Sequence, residues 1–316
     1  MRILLLAPLK PTGFVHGLVD GFRRAGHICD TKPTRDRSLV NTKEWIDEVV
    51  SASEDYESVF ISKGATIEMP FFTELVGRVH DTTYFDMDPT SGNGCGPPYR
   101  PQQIGARGLQ CTRIICTGTE ASRWFRQNGF TGRIGQIYEG YRPWLWYPGK
   151  LPRANPNRLC FIGTPGYKGD GGRKKKIKII QAAKYDLYLS NNTLYQAAAD
   201  VYWNSAICLN FVCGDITSLR LMHILASGGF CLTEGNMDVI SSFTQGDQLD
   251  WFDFQNIEQM LEKIDFYLRN PTLRHEIALK GHNWAKEYTW EHQASKMADF
   301  MSGSYICDGG AKEYVS

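Results

Sequence analysis

A chain of 316 residues is long for one hydrophobic core and comfortable for two domains of about 150 residues each. Its 42% hydrophobic and 22% charged content excludes an intrinsically disordered protein, and a net charge of +1 gives no overall basic field of the kind that announces a nucleic-acid binder. No stretch approaches the roughly 20 apolar residues of a membrane span, and the apolar run Ile3 to Ala7 is too short for a signal-peptide core. The expected location is therefore the cytoplasm. The nine cysteines are scattered without a CxxC pair, several inside apolar runs, which fits buried free thiols and no zinc site.

The first element, Arg2 to Ala7, reads as a strand that breaks at Pro8-Leu9-Lys10-Pro11-Thr12-Gly13 and gives way to helical spacing from Phe14 to Ala25. The alternation continues with strands at Ser58 to Ser62, Thr82 to Phe85 and Arg113 to Cys116, and helices at Phe71 to Val79 and Ala121 to Asn128. Residues 140–157 carry four prolines and no sustained periodicity, so the linker is placed there. Strand and helix then alternate again. Strands are expected at Arg158 to Gly163, Tyr185 to Leu189, Ala206 to Val212 and Phe230 to Thr233, with helices at Lys174 to Ala183, Thr193 to Val201 and Ser218 to Ser227. Ile257, Leu261, Ile264 and Leu268 form an apolar helical stripe bounded by Asn270-Pro271, and helical spacing resumes from Thr272.

The pattern implies an α/β protein of two Rossmann-like, doubly wound domains, at 1–150 and 151–316, facing across a cleft, with the last helices able to pack back on the first domain. APLKPTGF does not supply the G-x-G-x-x-G of a dinucleotide-binding dehydrogenase or epimerase.

The most informative stretch is Asp215 to Gly235, DITSLRLMHILASGGFCLTEG. Thr217 or Ser218 is a good N-cap, and Gly228-Gly229 stops the helix before a strand. A helix N-terminus with free N–H groups and Arg220 nearby is a ready site for phosphate, although a capped helix is most often only a helix. Upstream, GTPGYKGDGGRK is glycine-rich and basic but lacks the G-K-[ST] ending of a nucleotide-triphosphate loop. Its lysines also read as a solvated helix start. In the first half, Asp86-Met87-Asp88 follows a strand. Either carboxylate at a strand's C-terminal end could orient an acceptor hydroxyl or act as base, and the triplet also matches a metal-binding DxD.

Arg220, Ala226, Gly228, Gly229, Phe230, Leu232, Thr233 and Glu234 keep the pattern R-x-x-E-x-x-A-x-G-G-F-x-L-T-E. In this the segment resembles the CgeB-like (spore maturation protein) branch of the glycosyl transferases group 1 superfamily. The resemblance extends over Gln245 to Tyr288 and back to CFIGTPGYKGDGGRKKKI. It implies a GT-B fold and transfer of a sugar from a nucleotide sugar, expected as a UDP-sugar, to a hydroxyl acceptor, by a retaining, metal-independent course with no permanently bound cofactor. It also implies the donor residues: Gly163, with Arg173 and Lys174 behind it, against the diphosphate; Ser218, Leu219 and Arg220 at the helix start; and Asp215 and His223 at the superfamily's two acid positions, separated by seven residues. His223 departs from the pattern, since an imidazole cannot supply the two acceptors of the ribose-binding carboxylate. Gly13 would approach donor or acceptor from the first loop, or serve as a tight turn. Asp88 and Asp86 are the catalytic candidates, and no metal ligand is assigned.

For the acceptor, the branch is linked to cell-surface and spore glycans, and compact bacteriophage members resemble enzymes that glycosylate hydroxymethylated DNA bases. The reading leans to DNA and a phage origin, which places the protein in the host cytoplasm. A non-catalytic nucleotide or sugar binder of the same fold is the alternative of another class.

Overall fold

The computed structural model describes residues 1–8, 14–62, 66–86, 105–149, 155–165, 172–212, 218–254 and 256–304. Gly13, Asp88 and Asp215 lie outside the described residues. The chain forms two compact units, one comprising the described residues up to Gly140 together with those from Trp290 on, the other those from Tyr141 to Thr289.

In chain order the first unit contains β1 (Arg2–Ala7), α1 (Phe14–Arg24), β2 (Ile28–Pro33), α2 (Arg37–Val40), α3 (Lys43–Ser53), β3 (Ser58–Ser62), α4 (Met69–Arg78), β4 (Thr82–Asp86), α5 (Ala106–Gly108), β5 (Arg113–Cys116), α6 (Thr119–Gln127) and β6 (Arg133–Gln136). The second contains β7 (Asn155–Ile162), α7 (Arg173–Ala182), β8 (Leu187–Ser190), α8 (Tyr195–Asn204), β9 (Ser205–Asn210), α9 (Leu219–Ala226), β10 (Cys231–Gly235), α10 (Met237–Ser242), β11 (Asp250–Asp253), α11 (Ile257–Arg269) and α12 (Pro271–Ala285). The last helix, α13 (Trp290–Ser302), belongs to the first unit.

Runs such as RILLLA and SVFIS are buried along almost their whole length, as strands covered by helices on both faces must be. The first sheet has the order β2-β1-β3-β4-β5-β6 and the second β11-β10-β9-β7-β8, all parallel. In the second, the chain steps from β7 outward to β8 and then returns to the other side of β7 as β9. The order reverses there, so the C-terminal ends of β7 and β9 flank a switch point, the place where open α/β sheets bind ligands.

In the first unit, α1 meets α13 at very close range because the sequence puts glycines at 17 and 21, one helical turn apart. A Cβ on Gly17 would lie 2.3 Å from Trp290 Nε1, and one on Gly21 2.3 Å from the Trp290 carbonyl oxygen. The Arg113 guanidinium donates to the Met301 carbonyl (2.9 Å) and to Asp81 (2.5 Å), fastening the end of α13.

The proline-rich segment expected as linker is packed over its first part. Trp146 and Tyr141 are buried, Trp146 lies 6.2 Å from the Tyr202 ring, and the Arg142 guanidinium sits over Tyr195. β7 already begins at Asn155 and includes Pro156, whose carbonyl accepts from Arg274 (3.2 Å). Aromatic side chains between the prolines supply the burial that backbone periodicity does not. The described cysteines 29, 111, 116, 160, 208 and 231 are all buried free thiols.

Candidate functional site

The C-terminal ends of β7, β9 and β10 each finish an apolar run with a polar or glycine residue, and α7 and α9 begin beside them. Gly163 follows β7 with φ +152°, and a Cβ there would lie 2.5 Å from Arg220 Nη2, so the glycine makes room for the guanidinium. Arg220, in the first turn of α9, stretches across the switch point. Its Nε donates to the Ile162 carbonyl (2.8 Å), and its Nη1 to Asn210 Oδ1 (3.1 Å) and the Phe211 carbonyl (3.3 Å). The guanidinium lies 4.7 Å from the centre of the Phe161 ring.

Arg173 opens α7 and is 5% exposed; it donates to the Thr164 carbonyl (3.0 Å) and the Phe211 carbonyl (3.1 Å). The two arginines thus converge on the Phe211 carbonyl and the Phe161 ring. Ser218 is the N-cap of α9: its Oγ accepts from Leu221 N (3.3 Å) and donates to Asn210 Oδ1 (3.0 Å). Leu219 is the first residue of that helix. Asn210 in turn donates to Thr233 Oγ1 (3.0 Å).

Behind this layer, Glu234 at 0% exposure accepts from Val212 N (3.0 Å) and pairs with Lys176 Nζ at 2.6 Å, itself 2% exposed. Among the described residues, Lys176 thus pairs with a carboxylate while Arg173 and Arg220 are held by backbone carbonyls and Asn210. Preorganised positive charge in a low-dielectric setting is what stabilises a bound or departing phosphate. Asn210, Lys176 and Glu234 were not assigned from the sequence as site residues. Their signal was a polar residue closing each of the apolar runs AICLN and FCLTE, and a lysine three places after Arg173 on one helix.

His223 lies one turn after Arg220 and stacks on Trp146, with ring centres 3.7 Å apart and planes at 8°. Burial first, and then the Arg142 and Arg220 cations, lower its pKa to about 3, so the imidazole is neutral at physiological pH. Lys174 sits on the exposed side of α7, opposite the buried Arg173 and Lys176. In the first unit, Asp86 ends β4 with its side chain 1% exposed, and its charge helps to raise the Tyr84 and Cys116 pKa values, an effect second to burial in both. Among the described residues no group of three or more His, Cys, Asp or Glu could hold a metal ion. No described helix is long and apolar enough to cross a membrane.

Solved structures similar to this chain include sucrose-phosphate synthase from Thermosynechococcus elongatus, at 12% identity, covering 96% of this chain and 99% of that one with a TM-score of 0.70. Anabaena Alr3699/HepE in complex with UDP and glucose matches at 12% identity over 96% of this chain and 100% of that one, with a TM-score of 0.71. The fold is GT-B. Residues 160–299 match the family model described as glycosyl transferase-like. Most of the second unit lies within that match, and so does the cluster built by Gly163, Arg173, Lys176, Asn210, Ser218, Arg220 and Glu234. An Escherichia coli trehalose-6-phosphate structure bound with UDP-2-fluoro glucose aligns at 11% identity over 95% of this chain and 99% of that one, with a TM-score of 0.63. Comparison with curated protein sequences returns no match.

Proposed function

We propose that this protein is a glycosyltransferase that uses a UDP-sugar donor held by the second unit. The observation that carries the reading is the convergence of Arg173 and Arg220 at the β7/β9 switch point beside the start of α9, inside the segment that matches the glycosyl transferase-like model. UDP or UDP-glucose bound to structures of the same fold supports the choice of donor.

In this reading the diphosphate rests on the N-terminus of α9, at Ser218 and Leu219, with Arg173 as the principal cation and Gly163 allowing close backbone approach. Arg220 spends Nε and Nη1 on protein acceptors, so it acts by holding the strand ends together and by its charge. Lys174 contributes long-range attraction. Asp215 meets the sugar, and neutral His223 offers the ribose a single hydrogen bond. As the glycosidic bond to the diphosphate breaks, the arginines and the helix N-terminus take up the charge of the leaving UDP without a metal ion. Asp88 or Asp86 orients the acceptor hydroxyl, and the anomeric configuration is retained.

The acceptor we favour is a hydroxymethylated base of DNA, in a phage-encoded member of the CgeB-like branch acting in the host cytoplasm. A second reading, a sugar-nucleotide binder without chemistry, draws on the stacked, neutral His223 where the family pattern has an acid. The test is a transfer assay with radiolabelled UDP-sugars, EDTA present, offering hydroxymethylated DNA and surface glycans in parallel. Label entering DNA supports the favoured acceptor, and label entering glycan only replaces it. UDP-sugar binding with no transfer to either supports the binder.

A further inference from the structure

His223 stands where the family pattern has an acid, and an imidazole there needs something the acid does not. A carboxylate offers two equivalent oxygens and tolerates rotation, whereas a neutral imidazole has one donor and one acceptor, both directed outward in the plane of the ring. Such a ring serves a ligand only if its plane is fixed. His223 follows Arg220 by three residues on α9 and shares its face, one turn behind the start of the helix. The imidazole is half-buried. Among the described residues neither ring nitrogen makes a hydrogen bond, and neither is a polar atom stranded in the interior, so the nitrogen-bearing edge remains open to a ligand.

The fixing comes from outside the helix. Trp146 lies almost face to face on the imidazole, with 3.7 Å between ring centres and 8° between planes, a flatter overlap than the offset or edge-on packing aromatic pairs prefer. The turn that presents Trp146 is closed by Leu145 N and Trp146 N, which both donate to the Arg142 carbonyl (2.9 and 3.1 Å). Beyond it the chain is wedged against the ends of α8 and α9. A Cβ on Gly149 would lie 2.2 Å from Trp203 Cδ1, and one on Gly228 3.3 Å from Pro148 Cγ. Trp146 itself is buried and rests on Tyr202, so it cannot swing away from the imidazole without breaking this packing.

We propose that Trp146 is a positioning residue for the donor: it holds the plane of His223 so that a ring nitrogen bonds a ribose hydroxyl of the nucleotide. The proposal rests on the reading that the donor lies along α9, and it adds what aims the single neutral contact there. Arg142 and Arg220 are the cations beside His223, and they reinforce burial in keeping the ring uncharged.

The experiment is isothermal titration of the full-length protein with UDP and with UDP lacking both ribose hydroxyls, read as the ratio of the two dissociation constants. One neutral hydrogen bond is worth about threefold to tenfold in that ratio. Trp146→Leu keeps an apolar side chain against Tyr202 but has no flat face, so its ratio should fall by that factor. His223→Ala should fall equally, the double variant no further, and Trp146→Phe should keep the wild-type ratio. A tryptophan that only packs would weaken both ligands alike. In the unmutated protein carrying fluorotryptophan, the Trp146 fluorine resonance should move more with UDP than with the dideoxy ligand. A Trp146→Leu protein with the wild-type ratio, or a fluorine resonance displaced equally by both ligands, overturns the proposal. His223→Ala with the wild-type ratio removes the ribose contact and the proposal with it, whereas wild-type protein that binds neither ligand overturns the donor reading itself.

Discussion

The buried Lys176–Glu234 pair gives a prediction whose size follows from its surroundings. Lys176 is 2% exposed and Glu234 0%, with the ammonium 5.9 Å from the Phe211 ring centre and 5.4 Å from that of Phe254. Glu234→Gln keeps an oxygen for Val212 N but removes the charge that neutralises Lys176. Breaking one side of such a pair costs about 3–5 kcal/mol, because the remaining ion stays buried without its counter-charge. At about 2–4 °C per kcal/mol for a unit of this size, calorimetry should show the second unit melting roughly 6–20 °C lower. Replacing both partners, as Lys176→Met/Glu234→Gln, removes the buried charge as well and should recover most of that loss. The double-mutant cycle should therefore show strong coupling. A Glu234→Gln protein as stable as wild type, or a double variant no better than the single one, would refute the argument that this carboxylate is held in place by electrostatic necessity.

Other expectations follow from the same geometry. Gly21→Ala should destabilise the first unit by about 1–3 kcal/mol, the usual cost of overpacking, since its methyl would meet the Trp290 carbonyl; thermal unfolding followed by near-UV dichroism reads this directly. His223 has a native pKa lowered to about 3 against 6.5 when unfolded, so the unfolded chain binds the proton first as pH falls. The protein loses about 2 kcal/mol between pH 8 and pH 5 from this residue, and His223→Gln should flatten that part of the urea-denaturation profile. Arg220→Lys keeps the charge but cannot reproduce the contacts to Ile162, Asn210 and Phe211 together; urea denaturation should show the second unit less stable by about 1.5–3 kcal/mol for each charge-assisted hydrogen bond lost.

Much of the fold is legible in the sequence because buried parallel strands are short apolar runs: SVFIS and RIIC mark β3 and β5 at both ends. β2 escapes such reading because ICDTKP is an edge strand with exposed, mixed side chains, held by its backbone ladder to β1. α3 did carry a signal, with Thr42 capping Trp45 N and Trp45, Ile46 and Val49 on one face, but it lies between elements with no glycine break. The return of α13 rests on Gly17 and Gly21, whose spacing acquires meaning only when Trp290, far along the chain, fills the space they leave. At the site, a phosphate-side arginine is suggested by its helix start. The partners that aim Arg220, at the ends of two strands, become visible only when the topology brings residue 162 beside residues 210 and 211.

In the proposed function the second unit holds the donor. Photo-crosslinking with an azido-UDP-sugar, followed by peptide mapping, tests it most directly. Label that unlabelled UDP displaces should map to the stretch from β7 through β10. Label confined to the first unit, or none that UDP displaces, would contradict it.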